Sequence, residues 1–367
     1  MSFTFKDRIS LTIFGSSHGE AVGAILDGIP AGYKIDSNLI QGWMERRAPG
    51  RNTITTQRKE SDVVRIISGL NNGYTDGGSI ALMIQNEDAI SKHYDDLKER
   101  PRPGHGDLSL YLKYGEYRNY SGGGFLSGRM TAPLVAAGSI ALQILRSTGI
   151  NVVSYLEQMG QISSTCTAPE EEKIYELETR MGDSNADRQA KELILKLISE
   201  GDSVGGVVRT VISNVPGGLG EPFFDSVESV LSHLMFSIPG VKGIEFGLGF
   251  SLSEMKGSKA NDPFKWNGQN FYTERNTNGG ILGGITYGDP VEFRVAMKPT
   301  SSIRIEQSTI NITTHQEERI RVKGRHDPCI AIRAVPVITC TTAIGILDLY
   351  LRMRSSDKGN SENYSGN

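Results

Sequence analysis

The sequence predicts an α+β protein in which the most apolar helices are buried between other layers of structure. Residues 8–15, RISLTIFG, alternate as a half-buried strand does and end at a glycine. Residues 133–147 and 336–351 are apolar nearly all round, which is typical of helices that lie inside a protein. Residues 184–201 carry a single apolar stripe instead, as a helix that covers a core does.

Local signals predict where the outer helices begin and end. Residues 36–47 are predicted as a helix with Asp36 as its N-cap. Ser184 is expected to cap the amphipathic helix, and Gly201 is expected to end it.

The two apolar helices are predicted to open with a proline, Pro133 or Pro336, which suits the first helical turn. An arginine, Arg129 or Arg333, precedes each proline by a few residues. Because a helix N-terminus and a guanidinium both attract anions, the two helices could point at one anionic pocket. The alternative is that both prolines are ordinary helix starters and both arginines are surface caps.

Composition excludes several classes of protein. The chain has 39 basic and 42 acidic residues and a net charge of −3, so no nucleic-acid partner is expected. Its most apolar run, residues 131–145, is shorter than the roughly 20 residues that span a bilayer, so no membrane association is expected. Three cysteines without a CxxC pair favour a reducing cytoplasm.

The chain is predicted to form one domain over residues 1–354. An acidic stretch within residues 165–201 is expected to form a peripheral helical insertion. Residues 355–367 lack an apolar pattern and are expected to be a disordered tail.

Three histidines, His18, His105 and His326, lie in loops punctuated by glycine or proline: FGSSHGE, RPGHGD and GRHDPC. Histidine titrates near neutral pH, so an uncovered imidazole can exchange a proton with a ligand. Each histidine could instead be structural, and a metal site assembled from the three loops is a further alternative. The chain lacks the HExxH spacing of a zinc helix, and Cys329 precedes an apolar run that predicts a buried thiol.

Glycine-rich and basic stretches add a possible anion pocket. Residues 121–129 and 278–288 fit neither a Walker motif nor a dinucleotide fingerprint, so they predict backbone that passes close to a flat or anionic ligand, or else tight turns. Residues 297–303, MKPTSSI, offer a lysine and three hydroxyls to a phosphate or a flavin edge. Residues 45–52 carry three arginines, which form either a pocket for a small polyanion or a solvated face.

Taken in order, these loops resemble the chorismate synthase family. Any one motif is weak, but nine motifs in one order are specific and extend from Phe14 to Pro336. They are FGSSHG (14–19), RRAPG (46–50), TTQR (55–58), RPGHGD (102–107), GGG…SGR (122–129), GLGEP (218–222), GGILGGIT (279–286), KPTSSI (298–303) and GRHDPC followed by IRAVP (324–336).

The resemblance implies a layered β-α-β sandwich, with central apolar helices between two antiparallel sheets, assembled as a homotetramer. It implies a 1,4-anti elimination of phosphate from 5-enolpyruvylshikimate-3-phosphate that gives chorismate, in the shikimate pathway to aromatic amino acids. The family requires reduced FMN (FMNH2) although the reaction has no net redox change. NADPH enters only as a reductant of the flavin, and an external flavin reductase is the alternative source of electrons.

Roles follow from the resemblance by position. His18 would protonate the departing phosphate, His105 would protonate the reduced flavin, and Asp327 would assist proton transfer at the flavin N5. His326 and Cys329 would then be structural. The implied cofactor-binding residues are Phe125, Leu126, Ser127, Pro239, Gly240, Gly283, Lys298, Pro299, Thr300, Ser301, Ser302 and Arg325. The expected residues for substrate or NADP binding are Arg46, Arg47, Arg58, Arg129 and Arg333.

The chain departs from the family pattern at several positions. Ser16 replaces a glutamate, and Gly106 stands where alanine is common. Phe125, Leu126 and Met130 stand where arginine, serine and glutamate are usual. We therefore expect an active enzyme with altered flavin affinity. A metal-dependent phosphatase that uses His18, His105 and Asp107 is one alternative, and a non-catalytic phosphometabolite-binding protein is the other.

Overall fold

The computed structural model describes residues 3–48, 54, 61–87, 96–322 and 326–357. Strands and helices alternate irregularly along this part of the chain, and the strands pair with antiparallel neighbours. The strands are β1 Thr4–Lys6, β2 Ser10–Gly15, β3 Ala21–Asp27, β4 Val64–Ser68, β5 Leu70–Asn71, β6 Tyr74–Thr75, β7 Ile80–Gln85, β8 Asn151–Met159, β9 Ile162–Ser163, β10 Gly206–Ser213, β11 Val241–Phe246, β12 Phe264–Trp266, β13 Phe271–Thr273, β14 Ile281–Leu282, β15 Ile285–Thr286, β16 Val291–Met297, β17 Gln307–Ile310 and β18 Glu317–Ile320.

The helices range from single turns to a helix of 27 residues. They are α1 Ser37–Arg47, α2 Asp96–Glu99, α3 Asp107–Tyr114, α4 Thr131–Ser147, α5 Glu171–Glu176, α6 Ser184–Glu200, α7 Val227–Phe236, α8 Gly257–Ala260 and α9 Ala331–Asp357.

Two five-stranded antiparallel sheets form the outer layers. The first sheet has the order β1-β2-β3-β7-β4, and the second has the order β11-β16-β10-β8-β9. In the first sheet Leu11 pairs with Leu26, and both side chains are buried on the inner face. In the second sheet Val208 pairs with Val295, and both are likewise buried. Side chains from both inner faces therefore meet the helices between the sheets.

Helices α4 and α9 form the central layer. Helix α4 contacts β3 and β7 of the first sheet, α9 contacts β8 and β10 of the second, and the two helices pack against each other. Gly138 permits this close packing, because a Cβ at that position would lie 2.2 Å from the carbonyl oxygen of Cys340. The predicted layered α+β sandwich with apolar helices between two antiparallel sheets is thereby confirmed.

Both central helices are apolar enough, by length and composition, to cross a membrane. Their apolar windows are nevertheless 89% buried in residues 128–147 and 94% buried in residues 331–355. Burial of this extent is typical of core helices in a protein that encloses them with its own sheets.

Several predicted helix ends are confirmed and others are wrong. Asp36 caps α1 by accepting a hydrogen bond from the Asn38 amide, and Gly201 ends α6 in the left-handed conformation. The predicted cap Ser184 is wrong, because the side chain of Asp183 accepts the bond from the Ala186 amide instead.

The predicted start of the second apolar helix at Pro336 is also wrong. Helix α9 begins five residues earlier, at Ala331, so Pro336 lies inside the helix and Arg333 lies in its first turn. A proline near a helix start removes only one backbone hydrogen bond, and burial of the whole helix compensates for it. In α4 the proline stands where it is expected, with Pro133 in the first turn.

The expected peripheral insertion contains α5 and α6. The predicted tail begins within the last turns of α9, which runs to Asp357, and the rest of the tail lies outside the described residues. The boundaries of the single domain stay a prediction.

Candidate active site

A buried carboxylate between two arginines forms the first part of the site. Arg47, at the end of α1, places its Nη1 atom 2.8 Å from Asp62 Oδ2. Arg129, which precedes α4, donates to the other oxygen of Asp62. We call Arg47, Asp62 and Arg129 the Asp62 cluster. Burial raises the pKa of Asp62, but the two guanidinium groups together outweigh burial and hold the pKa below its ordinary value.

The remaining donors of the Asp62 cluster fix neighbouring loops. Arg47 Nε donates to Thr131 and Nη2 to the Gly128 carbonyl, and Arg129 Nε donates to Asn86 Oδ1 at 2.8 Å. The Asn86 side chain in turn donates to the carbonyl oxygens of Ser16 and Gly19, at 3.0 and 2.8 Å. The cluster therefore holds the loop that carries His18.

The His18 loop also contacts the glycine-rich loop. The Ser17 amide donates to the Gly124 carbonyl at 3.4 Å, and Ser17 Oγ lies 3.1 Å from His18 Nδ1. Gly123 on the same glycine-rich loop lies against His105, since a Cβ there would be 3.5 Å from His105 Cε1. Two of the histidine loops thus contact the glycine-rich loop at neighbouring residues, Gly124 and Gly123.

His105 belongs to a second charged group, which we call the His105 cluster: Arg102, His105 and Asp107. Asp107 Oδ1 lies 2.7 Å from His105 Nδ1, and Arg102 Nε donates to Asp107 Oδ2 at 2.7 Å. Burial raises the pKa of Asp107, but hydrogen bonds from Arg102 and His105 outweigh it and hold the pKa well below its ordinary value. The ionised Asp107 accepts the Nδ1 proton, which leaves Nε2 as the reactive nitrogen.

His105 remains accessible although Arg102 and Asp107 are buried. Its side chain is 21% exposed. An open cavity of about 460 Å³ lies beside it, lined by Pro103, His105, Leu108, Thr309, Ile310 and Glu317 among others.

The run from Lys298 to Ser302 joins the His105 cluster to Asp327, the third residue that is predicted to transfer a proton. Arg102 Nη1 donates to Ser302 Oγ at 3.0 Å, and both Lys298 Nζ and Ser301 Oγ donate to the Gly104 carbonyl. Thr300 Oγ1 donates to the Asp327 carbonyl at 2.7 Å. The lysine and hydroxyls of KPTSSI therefore lie between the His105 loop and Asp327.

Asp327 closes the connection to the Asp62 cluster. Arg333 Nη1 donates to Asp327 Oδ2 at 2.7 Å, and Arg333 Nε donates to the Arg47 carbonyl at 3.2 Å. Followed in order, the contacts form a closed ring. The ring runs from the His18 loop through the glycine-rich loop, the His105 loop and Lys298–Ser302 to Asp327. From Asp327 it returns through Arg333 and the Asp62 cluster to the His18 loop. Loops that lie far apart in sequence are held together by direct contacts, which are polar except for the van der Waals approach of Gly123 to His105.

A family model described as chorismate synthase matches residues 9–351. The chain belongs to the chorismate synthase family. A chorismate synthase of Dehalococcoides mccartyi strain BAV1 is 42% identical over 354 residues, which cover 96% of this chain and 97% of that protein. The chorismate synthase of Archaeoglobus fulgidus is 43% identical over 352 residues, 95% and 97% of the two chains.

Solved structures agree with the sequence comparison. A crystal structure of a chorismate synthase superposes with a TM-score of 0.74 at 27% identity and covers 97% of both chains. Chorismate synthases are lyases of aromatic biosynthesis, so the family assignment identifies the chain as an enzyme that acts on a small molecule.

Most residues that the chorismate synthase resemblance implies lie in the ring of contacts. They include His18, His105, Ser127, Lys298, Thr300, Ser301, Ser302, Asp327, Arg47, Arg129 and Arg333. Pro299 lies within the same run, and Gly240 of the Pro239–Gly240 turn accepts a hydrogen bond from the Lys298 amide at 2.9 Å. Arg58 and Arg325 lie outside the described residues.

Two implied residues, Arg46 and Gly283, make their contacts outside the ring, and two others, Phe125 and Leu126, make apolar contacts from the glycine-rich loop, which belongs to it. Arg46 pairs with Glu171 and stacks over two aromatic rings of α1 and α5, so the geometry does not support its expected role at the substrate. Gly283 lies in the turn between β14 and β15, and its neighbour Gly284 bonds to the start of α7. Phe125 and Leu126 contact α3 and the residue before it. The roles of all four stay predictions.

The structure gives no support to two other readings of the motifs. Cys329 is 1% exposed, and burial raises the pKa of its thiol to about 12, so it is a poor nucleophile. Within residues 3–48, 54, 61–87, 96–322 and 326–357, no three His, Cys, Asp or Glu side chains converge as metal ligands. Asp107, a proposed ligand of the phosphatase alternative, is instead paired with Arg102.

Sequence reasoning missed Asp62, Asn86 and Lys242, and it named Arg102 only as a flank of the His105 loop that supports an anion pocket. Arg102 and Asp107 flank His105 within RPGHGD, so the motif itself carried that signal. Lys242 lies at a bulge of β11 beside the end of β16, and its charge contributes, after burial, to a lowered pKa of Lys298. Asp62 and Asn86 become neighbours of the motifs only through the pairing of the first sheet.

Proposed function

We propose that the chain catalyses the 1,4-anti elimination of phosphate from 5-enolpyruvylshikimate-3-phosphate to give chorismate, which makes it a carbon–oxygen lyase acting on a phosphate ester. The proposal rests on one observation: a chain of this family holds its histidine, lysine and aspartate motifs in one closed ring of contacts, most of them polar. The family assignment favours this enzyme over a non-catalytic phosphometabolite-binding protein.

The substrate carries a phosphate and two carboxylates, and the arginines of the ring suit its charge. Within the described residues, the Asp62 cluster has two arginines and one carboxylate beside the His18 loop, a composition that suits an anionic substrate. The Arg333 side chain is 22% exposed and can turn toward a bound anion, whereas Arg47 is 2% exposed. We therefore assign Arg333 to direct substrate contact and Arg47 with Arg129 to the positive wall, together with Arg58 from the sequence.

Proton transfer is assigned to three residues. His18 protonates the departing phosphate, held by the loop that Asn86 fixes. His105 keeps Nδ1 bonded to Asp107 and presents Nε2 toward the glycine-rich loop, where it can hold or release a proton at the flavin. Asp327 assists proton transfer at the flavin N5, and Arg333 orients its carboxylate.

The residues present fit a reduced FMN cofactor. Burial, followed by the charge of Lys242, lowers the pKa of Lys298, whose Nζ donates to the Gly104 carbonyl and to Ser301 Oγ. A phosphate group of the cofactor would pair with this lysine. Ser301 and Thr300 add hydroxyls beside Lys298, and Gly123 carries no side chain where its loop approaches His105. The chemistry that bound reduced FMN supplies is the transient loan of an electron, which lets phosphate leave without net redox change.

Anaerobic incubation with substrate and reduced FMN tests the proposal. We expect equal amounts of phosphate and chorismate, and neither product with oxidised FMN. Phosphate release that needs no flavin and is abolished by a chelator would favour the metal-dependent phosphatase. Substrate binding without any turnover would favour the non-catalytic binder. NADPH added to protein and oxidised FMN alone then tests whether an external flavin reductase is required, since bleaching of the flavin would show that it is not.

We further propose a cytoplasmic homotetramer. The three cysteines are free thiols, as in a reducing compartment. The outer face of the first sheet leaves the apolar side chains Phe14, Ile25 and Ile67 between 39% and 57% exposed, which suits burial by another subunit. Light scattering after gel filtration should give four times the 40.0 kDa chain mass. A monomeric mass would contradict the assembly without touching the proposed reaction.

A further inference from the structure

Two consecutive apolar residues of the glycine-rich loop contact the two ends of helix α3. Leu126 lies over Gly106, the N-cap residue of α3, because a Cβ on Gly106 would be 2.4 Å from Leu126 Cδ1. Phe125 meets Tyr114, the last residue of α3, edge to face at 5.8 Å between ring centroids. Phe125 also contacts Phe3 in the same way at 5.4 Å.

From these contacts we infer that Phe125 and Leu126, which we call the apolar clamp, position His105. Leu126 is the positioning residue, and its side chain fills the space left by the missing side chain of Gly106. The catalytic meaning of the clamp rests on the function proposed above. His105 immediately precedes Gly106, so the clamp acts on the backbone that carries the imidazole. Gly106, Phe125 and Leu126 are also three of the positions at which the chain departs from the family motifs, and the structure places Leu126 against Gly106 and Phe125 at the other end of α3.

The clamp completes the fixation of His105. Asp107 holds the imidazole at Nδ1, and Gly123 lies against the far side of the ring. The backbone of the following residue is glycine, which on its own would leave the His105 peptide free to adopt many conformations. Leu126, packed against Gly106, limits that freedom through van der Waals contact. Loss of the leucine is therefore expected to loosen His105 without touching its hydrogen bond to Asp107.

The backbone conformation of Gly106 makes the inference testable. Its φ of −77° and ψ of 6° are open to alanine, so backbone strain does not require glycine here. The obstacle to alanine is the Leu126 side chain. A Gly106→Ala change should thus be harmful when Leu126 is present and harmless when Leu126 is shortened.

The experiment compares Gly106→Ala, Leu126→Ala and the double variant with wild type. Two readouts are used: kcat and KM with reduced FMN, and the rate at which diethylpyrocarbonate modifies His105, measured by peptide mass spectrometry. His315 is exposed and serves as an internal reference for the reagent. Leu112→Ala, a 75% exposed leucine of the same helix, and Gly42→Ala, where a Cβ meets no atom within 4 Å, are the matched controls.

We expect Gly106→Ala to lower kcat about tenfold or more with KM changed less than about twofold, because a small displacement of a proton-transfer group affects turnover first. Leu126→Ala should lower kcat by about three- to tenfold and raise the His105 modification rate by a similar factor. The double variant should behave as Leu126→Ala alone, and both controls should match wild type.

If the two changes act independently, their fold-losses in kcat multiply in the double variant, and that result would overturn the clamp. If Gly106→Ala does not fold, Leu126→Ala decides the matter alone: an unchanged His105 modification rate overturns the inference. A wild type without lyase activity would contradict the proposed function instead, and the modification rates would still test the clamp.

Discussion

The Asp62 cluster and the His105 cluster use similar charges in different surroundings. In the first, Asp62 is 0% exposed and two arginines donate to it and to neighbouring backbone. In the second, one arginine shares Asp107 with His105, whose side chain is 21% exposed. Both carboxyl groups have a lowered pKa. The Asp62 cluster directs its hydrogen bonds to other protein groups, whereas the His105 cluster leaves the Nε2 nitrogen of His105 for a ligand.

The difference shows how the fold separates support from chemistry. Arg47 and Arg129 link α1, the start of α4 and the loop after β7, so the Asp62 cluster ties the central helices to the first sheet. Among the described residues, the side chains of the His105 cluster hydrogen-bond to one another and to Ser302 across the ring. We therefore expect damage to the first cluster to appear as lost stability, and damage to the second as lost turnover.

The largest effect is expected from His105→Ala. A proton-transfer group typically contributes about 10²–10⁴-fold to rate, so kcat should fall by that factor while KM changes little. Asp327→Ala should behave in the same direction for the same reason. Anaerobic steady-state kinetics with reduced FMN measure both. Equal weakening of kcat and of substrate affinity would mean that these residues only shape the pocket, and the contrast with the Asp62 cluster would be lost.

Asp62→Asn is expected to act on stability. It leaves two buried arginines facing a neutral amide, and breaking a buried ion pair in this way typically costs about 3–5 kcal/mol. Urea unfolding of purified protein measures the loss, and turnover per folded molecule should change far less than in His105→Ala. Glu192→Gln is the control, because its pair with Arg188 is exposed and contributes at most about 0.5 kcal/mol. A loss as small as that of the control would contradict the structural role.

Features that depend on local sequence could be predicted, whereas features that depend on tertiary packing could not. The apolar run of residues 336–351 predicted a buried helix correctly, because a helix that is buried on all sides needs apolar residues around its whole circumference. The predicted start of this helix was wrong. Proline is common in the first helical turn, so Pro336 indicated a start there, but the residue itself carries no information that tertiary burial extends the helix to Ala331. His105 was predicted from the glycines and the proline around it, a local signal, and its role stays a prediction.

Asp62 could not be found in that way. Its partners Arg47 and Arg129 stand 15 and 67 residues away, and only the packing of α1 and α4 against the first sheet brings them together. Arg46 was expected at the substrate with Arg47, but adjacent residues at the end of a helix point in different directions, and Arg46 faces Glu171. Runs of like charge in a sequence therefore do not reveal which members share a site.

Lys298→Met sharpens the comparison at the proposed cofactor site. A hydrogen bond to a charged group contributes about 1.5–3 kcal/mol, so FMN should bind roughly 10- to 100-fold more weakly. Lys242→Met should weaken binding less, because Lys242, at the bulge of β11, is exposed to solvent that screens its charge. Flavin titration followed by fluorescence gives both affinities. Unfolding in urea should be unchanged, and a destabilised Lys298→Met would place this lysine with the structural cluster instead.

The smallest effect concerns acid stability. Because the folded pKa of Asp107 lies below its ordinary value of 3.8, its contribution to stability is complete above that pH and is lost as the pH falls below it. Asp62 contributes with the same sign. Asp107→Asn should therefore flatten the decline of the unfolding temperature between about pH 4 and pH 2.5, within the range in which the unfolded carboxyl takes up its proton. Since the amide oxygen introduced by this change could still accept one bond from Arg102, the neutral-pH stability should fall less than in Asp62→Asn. A decline as steep as in wild type would mean that the acid-labile carboxyl groups lie outside the His105 cluster, and that this cluster serves catalysis alone.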